Sequence, residues 1–320
     1  MKAFVNDRYG SPDVMEIRDL PQPQLTDEGA LVRVRATSIN AYDWHMLRGK
    51  PYLARLSEGL RRPKTTVLGV DVAGEVEAIG ANVTHLAVGD RVFGSRSGAF
   101  AEYVSGRNMV RMPANLTFEQ AAAVPTAGMT ALQGLRDQGD LRPGQRVLIN
   151  GAGGGVGTFA VQIAKALGAE VTATTGQGNL DLMRSIGADH VIDYGREDFT
   201  RGSSRYDLVL DIGGRPSLRA IRRVLTPTGR VVMVAPGGGQ WIGPIVRVVG
   251  GVVLSRLSGR RSRAFLATVN RDDLLTLKDL IEAGKVTPVI DRTLGFEQIP
   301  TGVRLVESGQ AAGKVVVSVP

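Results

Sequence analysis

The chain has 320 residues, 43% of them hydrophobic, a formal net charge of +8 and no cysteine. That length suffices for two domains with sizeable cores, and the lack of cysteine excludes disulfides, thiolate nucleophiles and the commonest zinc ligands together. Mean hydropathy is −0.01, as in a soluble globular protein, and the opening MKAFVNDRYG carries no apolar signal region, which points to a cytosolic protein.

Residues 1 to about 110 read as short strands with turn punctuation. The stretch 30–36, ALVRVRA, alternates, so Val32, Val34 and Ala36 share one face and the arginines the other. The stretches 66–79, 88–94 and 99–104 continue the pattern. Many strands with Gly and Asp turns predict a partly open β-barrel. Thr117 and Gln120 have capping-box spacing and open an apolar helix over 121–124, which Pro125 ends. The stretch 127–135 reads as a helix leading into a second domain.

The chain is organised around 146–168, RVLINGAGGGVGTFAVQIAKALG. Val147, Leu148 and Ile149 have the length and branching of a buried parallel strand. Glycines follow at once, in the register Ala152-x-Gly154-x-x-Gly157, and then Phe159, Ile163 and Leu167 recur at helical spacing up to Gly168. A glycine cluster alone is equally a flexible loop. Between a strand and a helix it is a phosphate site, where missing side chains admit a pyrophosphate and the helix N-terminus directs free N–H groups at it. Strands at 170–175, 190–194, 206–211 and 229–235, with helices at 179–186 and 217–225, extend the alternation into a Rossmann domain with a doubly wound parallel sheet.

A carboxylate at the end of the second strand would bind both ribose hydroxyls of NAD. The chain has Thr174, Thr175 and Gly176 there. No negative charge repels a 2′-phosphate, so NADP(H) is the expected cofactor. No Lys or Arg adjoins Thr175, which leaves Arg184 and Tyr194 as candidate phosphate partners. Asn179, Asp211, Gly213 and Ala235, at the ends of the strands and the start of a helix, are further candidate cofactor contacts.

Glycines 237–239 mark a loop, and the apolar run 245–254 precedes a basic cluster at 256–263. The run is too short and interrupted to span a bilayer; it reads as an interface or lid helix, with a membrane-surface contact left open. Helix 271–283 places Leu274, Leu277, Leu280 and Ile281 on its buried side. A strand near 289, a helix over 296–307 and a strand over 314–318 return to the character of the first part. The expected domains are therefore 1–122 completed by 289–320, and 123–288.

The whole length resembles the medium-chain dehydrogenase/reductase superfamily, in its zinc-free quinone oxidoreductase-like branch, whose members often carry the name NAD(P)-dependent alcohol dehydrogenase. The marks are MKAFVNDRYG, SINAYDWHMLRG at 38–49, LGVDVAGEVEAIG at 68–80, GDRVFG at 89–94, AAAVPTAGMTALQGL at 121–135, GADHVIDY at 187–194 and AGKVVV at 312–317. The resemblance implies a GroES-like β-barrel catalytic domain, a Rossmann cofactor domain, a cleft between them and a homodimer. Where zinc alcohol dehydrogenases carry a cysteine ligand this chain has Asn40, and in place of their Gly-His-Glu it has Gly69-Val70-Asp71. No metal site is expected, and Lewis-acid activation goes with it. What remains is hydride delivery to an already electrophilic small molecule, a quinone or an α,β-unsaturated carbonyl.

By the same resemblance Asn40 lies near the nicotinamide and Asp43 buttresses its loop. Tyr42 and His45 are candidate donors, with packing or surface roles left open for both. Thr126 and Thr130 would touch the nicotinamide end, and Ala152, Gly153, Gly154, Gly155, Val156 and Gly157 the pyrophosphate. Lys314 would approach the cofactor. Two other functions stay open: a cofactor-binding protein whose main role is RNA or partner binding, and a carbonyl or alcohol oxidoreductase. The charge of +8 leaves room for the former, but a pocket for a polyanionic dinucleotide accounts for it too, so nucleic acid is not the expected partner.

Overall fold

The computed structural model describes residues 1–52, 55–214, 216–234 and 262–320. Ala235, the glycine loop 237–239, the apolar run 245–254 and the basic residues 256–261 lie outside them.

The first part of the chain comprises β1 (Lys2–Val5), β2 (Glu16–Asp19), β3 (Ala30–Ile39), α1 (Ala41–Arg48), α2 (Arg55–Glu58), β4 (Asp71–Ile79), β5 (Arg91–Ser95), β6 (Tyr103–Gly106), β7 (Met109–Arg111), α3 (Phe118–Ala122) and α4 (Pro125–Gln133). Then come β8 (Arg146–Asn150), α5 (Gly155–Ala166), β9 (Glu170–Thr175), α6 (Leu180–Ser185), β10 (His190–Asp193), β11 (Tyr206–Asp211), α7 (Leu218–Arg222), β12 (Leu225–Val234) and β13 (Ser262–Phe265). The chain closes with α8 (Arg271–Glu282), β14 (Ile290–Gly295), α9 (Ile299–Ser308) and β15 (Lys314–Ser318).

Contacts divide the chain into two units: Met1–Met129 with Val269–Gly284 and Pro288–Pro320, and Thr130–Thr268 with Lys285–Thr287. The first holds a seven-stranded sheet in the order β14-β15-β3-β4-β5-β7, with β6 also paired to β3. Every pair is antiparallel except β14 with β15. Alternation along β3 does what the sequence requires: Val32, Val34 and Ala36 are fully buried, the two valines in a core shared with Leu47, Phe100 and Val315. This is the GroES-like strand domain.

The strand expected from 66 begins only at Asp71. Gly69, at φ +84°, turns the chain just before it, and a side chain there would strike Phe100 at 2.5 Å. The capping box at 117–120 forms, with Gln120 N donating to Thr117 Oγ1 at 3.3 Å and Thr117 N to Gln120 Oε1 at 3.0 Å. Helix α8, expected within 123–288, groups with the first unit. Its Leu277 lies 3.0 Å from where Gly128 would carry a Cβ, and its Ile281 carbonyl accepts from Asn115 Nδ2 at 3.0 Å.

The second unit is a six-stranded sheet in the order β10-β9-β8-β11-β12-β13, parallel throughout. Its central strand β8 buries Val147, Leu148 and Ile149 completely. A parallel strand covered on both faces demands such a run. Among the described residues no helix is long and apolar enough to cross a membrane.

Candidate functional site

In the second unit β8 ends at Asn150 and Gly151 turns the chain at φ +86°, where a side chain would meet Gly213 N at 2.8 Å. The ends of β8 and β11 thus meet where the strand order reverses, the place where doubly wound sheets bind ligands. Asn150 ties the junction: its Nδ2 donates to Asp211 Oδ1 at 2.7 Å and its Oδ1 accepts from Thr174 Oγ1 at 2.8 Å. Asp211 also accepts from Gly214 N at 2.9 Å. Asp211 and Thr174 are therefore buried supports of the turn, and Gly213 is exposed at its rim, donating to the Asn150 carbonyl at 3.0 Å.

Gly157 must be bare, because a Cβ would lie 2.4 Å from the carbonyl oxygen of buried Ala152. At Gly153 a Cβ would lie 2.5 Å from Thr175 Oγ1 and 2.7 Å from Asn179 Nδ2, whereas Gly154 has nothing within 4 Å. Gly154 caps α5, and the N–H groups of Gly155, Val156 and Gly157 in its first turn have no intrahelical acceptor. Open space beside free N–H groups fits a pyrophosphate. Beyond it Thr175, Gly176, Asn179 and Tyr194 offer neutral groups, the Tyr194 hydroxyl lying 3.0 Å from where Gly176 would carry a Cβ. Arg184 pairs with Asp181 at 2.6 Å.

The first unit holds a cluster of a different kind. Asp71 Oδ2 accepts from Ser38 Oγ at 2.7 Å, Asn40 Nδ2 at 2.9 Å and Lys314 Nζ at 3.3 Å. Its Oδ1 accepts from the Thr126 amide at 2.9 Å and hydroxyl at 2.6 Å. Lys314 Nζ also donates to Asn40 Oδ1 at 2.5 Å and to the Ile39 carbonyl at 3.5 Å. Antiparallel register makes this meeting, setting Ser38 against Asp71 and Ile39 against Val315, next to Lys314. Asp71 is 0% and Lys314 3% exposed. Burial at this depth requires that each charge be paired, and the three ammonium hydrogens match three protein acceptors. Lys314, expected to approach a cofactor, thus holds Asn40 and Asp71.

Asp71 and Ser38 were absent from the candidates. The available signal was Asp71 itself, a carboxylate kept where zinc enzymes carry Gly-His-Glu. Asp43, also fully buried, accepts from Asn40 N at 2.7 Å and Gly69 N at 3.1 Å, joining the start of α1 to the turn before β4. Burial pushes its carboxyl up to about 7, the charge of Asp71 adds to this, and the Asn40 and Gly69 bonds and Lys314 oppose it.

The two donor candidates differ. His45 is partly buried and stacks on Trp44 with ring centroids 3.6 Å apart, and its Nδ1 lies 3.2 Å from the Lys50 carbonyl. A carbonyl only accepts, so Nδ1 carries the hydrogen and Nε2 of the neutral ring has none to give. Burial lowers the His45 pKa and favours that neutral form. Tyr42 is half exposed and keeps its O–H. Thr130 is one helical turn beyond Thr126 on α4, buried at 7% exposure and grouped with the second unit.

Residues 26–176 match the family described as alcohol dehydrogenase GroES-like domain, and residues 186–317 that described as zinc-binding dehydrogenase. The chain is 33% identical to the 2-methylene-furan-3-one reductase of Solanum lycopersicum, across 99% of this chain and 79% of that protein. It is 32% identical to the chloroplastic NADPH-dependent alkenal/one oxidoreductase of Arabidopsis thaliana, again across 99% and 79%. Among solved structures, the quinone oxidoreductase from Coxiella burnetii matches with a TM-score of 0.88 and 32% identity, over 100% of this chain and 99% of that one. An all-parallel sheet with a glycine turn at its reversal, a GroES-like strand unit and relatives that match nearly the whole of this chain agree: the chain belongs to the medium-chain dehydrogenase/reductase superfamily, in its quinone oxidoreductase-like branch.

Proposed function

We propose that this protein is a zinc-independent, NADPH-dependent reductase that passes hydride to a quinone or to the β-carbon of an α,β-unsaturated carbonyl. The observation that carries this reading is the ammonium of Lys314, bonded to Asn40 and Asp71 at the centre of the buried cluster. Zinc takes thiolate, imidazole and carboxylate ligands. This cluster offers one carboxylate, an amide and hydroxyls, already gathered around a cation, and does not fit zinc. Without a Lewis acid the acceptor must be electrophilic by itself. The relatives, an alkenal/one oxidoreductase, a furanone reductase and a quinone oxidoreductase, support that acceptor class.

When bound, NADPH supplies the hydride. The α5 N-terminus and the glycine turn would hold its pyrophosphate, and the neutral surroundings of Thr175, Gly176, Asn179 and Tyr194 tolerate a 2′-phosphate. The Asn40 amide is gripped at both ends, by Asp71 through Nδ2 and Lys314 through Oδ1, so it meets a ligand already oriented. The Tyr42 O–H is the group available to polarise the acceptor oxygen and return a proton. Turnover of an enone with NADPH deuterated on either face of the nicotinamide C4 tests the step. Deuterium at the product's β-carbon from one of the two labels is expected, and its absence from both would refute hydride delivery. A homodimer accompanies this reading, and light scattering at twice the mass of 34.0 kDa would establish it.

A further inference from the structure

In the first unit the connection from β1 into β2 and the loop after α2 line a groove of about 450 Å³. Asp7, Arg8, Asp13, Val14 and Glu16 come from the former and Arg62 from the latter. The volume is that of a small-molecule site, and every lining residue but Val14 is charged.

The two segments are laced together at both ends. Tyr9, next to Arg8, donates its hydroxyl to the Gly59 carbonyl at 2.7 Å, and the Asn6 amide donates to the Thr66 carbonyl at 2.8 Å. Gly59, at φ +113°, turns the chain back on itself, and a Cβ there would lie 2.0 Å from the Arg62 carbonyl oxygen. The Lys64 amide closes this turn on the Glu58 carbonyl at 2.8 Å. On the other segment the Gly10 amide donates to the Leu47 carbonyl of α1 at 2.9 Å. Arg8 and Arg62 therefore start from backbones fixed against each other.

The carboxylates of the groove already have partners. Arg18 of β2 binds Asp7 at 2.6 Å and also Glu16. Arg304 of α9 binds Asp13, to which Ser11 Oγ donates at 2.8 Å. The Ser11 hydroxyl and the Arg304 charge hold the Asp13 carboxyl below its ordinary value. Arg8 and Arg62, by contrast, make no ion pair, side-chain hydrogen bond or ring contact among the described residues.

We propose that Arg8 and Arg62 form a binding site for one small oxyanion, the phosphate or carboxylate group of a soluble molecule. A guanidinium presents a planar fork of N–H donors that matches such a group, and two of them without a protein partner line one groove. The neighbouring carboxylates limit the size of the ligand. Asp7, Asp13 and Glu16 are exposed, so an extended polyanion, a nucleic acid or an acidic membrane, meets their charge as well. A single group fits within the groove and meets the arginines.

Titration of the full chain with inorganic phosphate, followed by phosphorus NMR line width in saturating NADP+ so that the glycine turn is filled, tests this. Phosphate should bind with a Kd of about 1 mM, weakened about tenfold in Arg8→Gln and in Arg62→Gln. Neither side chain makes a bond within the fold, so the thermal midpoints of both variants should match the wild type. No binding at about ten times that concentration, or binding that either variant retains at full strength, would overturn the proposal. Pelleting of the protein with phosphatidic acid vesicles, lost in Arg8→Gln, would overturn it too, because the ligand would then be a charged surface.

Discussion

The two units build their polar sites by opposite means. The turn after β8 is made of backbone, and it works because side chains are missing at Gly151, Gly153 and Gly157. The cluster around Asp71 is made of side chains, and it stands because Ser38, Asn40, Thr126 and Lys314 are all present. A backbone site is intolerant of additions, and a buried charge cluster is intolerant of removals. Each kind of substitution should therefore be costly in one unit and mild in the other.

Removal in the first unit carries the largest expected effect. Lys314→Met leaves Asp71 buried with its charge uncompensated and should cost about 3–5 kcal/mol in urea unfolding. Adding Asp71→Asn to it should recover part of that loss, since no charge then remains unpaired. Strict additivity of the two losses would show that the pair is not a unit.

Asp43 sharpens the comparison through pH. Its carboxyl titrates at about 7 in the fold against an ordinary 3.8, so between these values the native state binds the extra proton. Its stabilising contribution is therefore full at low pH and is lost as pH rises through 7. Asp43→Asn has no such loss. The stability of the variant relative to wild type should rise with pH from about 4 to 8, by up to about 4 kcal/mol, offset by the weakened bonds to Asn40 and Gly69. Exposed carboxylates held low, such as Asp189, act in the opposite sense and cancel in the difference. A flat or falling difference in denaturation midpoints would contradict the burial argument.

Additions in the second unit come next. Gly157→Ala places a Cβ against the Ala152 carbonyl and should weaken NADPH binding about a hundredfold by calorimetry, roughly 2.7 kcal/mol. An unchanged Kd would remove the turn from the cofactor site. The smallest effect is expected of Gly176→Asp, whose new side chain meets only the flexible end of Tyr194. The carboxylate should repel a 2′-phosphate and bind ribose hydroxyls, lowering the NADPH/NADH ratio of kcat/KM about tenfold. A ratio that does not move would place the ribose elsewhere.

The same contrast governs what the sequence made legible. The strand, turn and helix after Arg146 lie within a few tens of residues, and their periodicities and glycines declare them. Val32 and Val34 likewise announce a buried face by alternation alone. Asp71 bonds to partners 31, 55 and 243 residues away, and no local pattern links such positions. The residue was visible only as a departure from a zinc-binding pattern. The motif put Lys314 toward the cofactor; its bonds to Asn40 and Asp71, which follow from the pairing of β15 with β3, had no local signal. Helix α8 showed which of its faces is buried, by the spacing of Leu274, Leu277 and Ile281, but that spacing does not name the surface that covers it. The early stop of β4 at Asp71 depends on Gly69 meeting Phe100, a contact between distant stretches.

The central claim is hydride transfer without a metal, and NADPH oxidation followed by its near-ultraviolet absorbance tests it most directly. The purified protein would be given a naphthoquinone, a medium-chain enone and a simple ketone, each with and without EDTA. Turnover of quinone or enone at a rate indifferent to EDTA is the predicted result. Reduction confined to the ketone, or abolished by EDTA and restored by zinc, would contradict it.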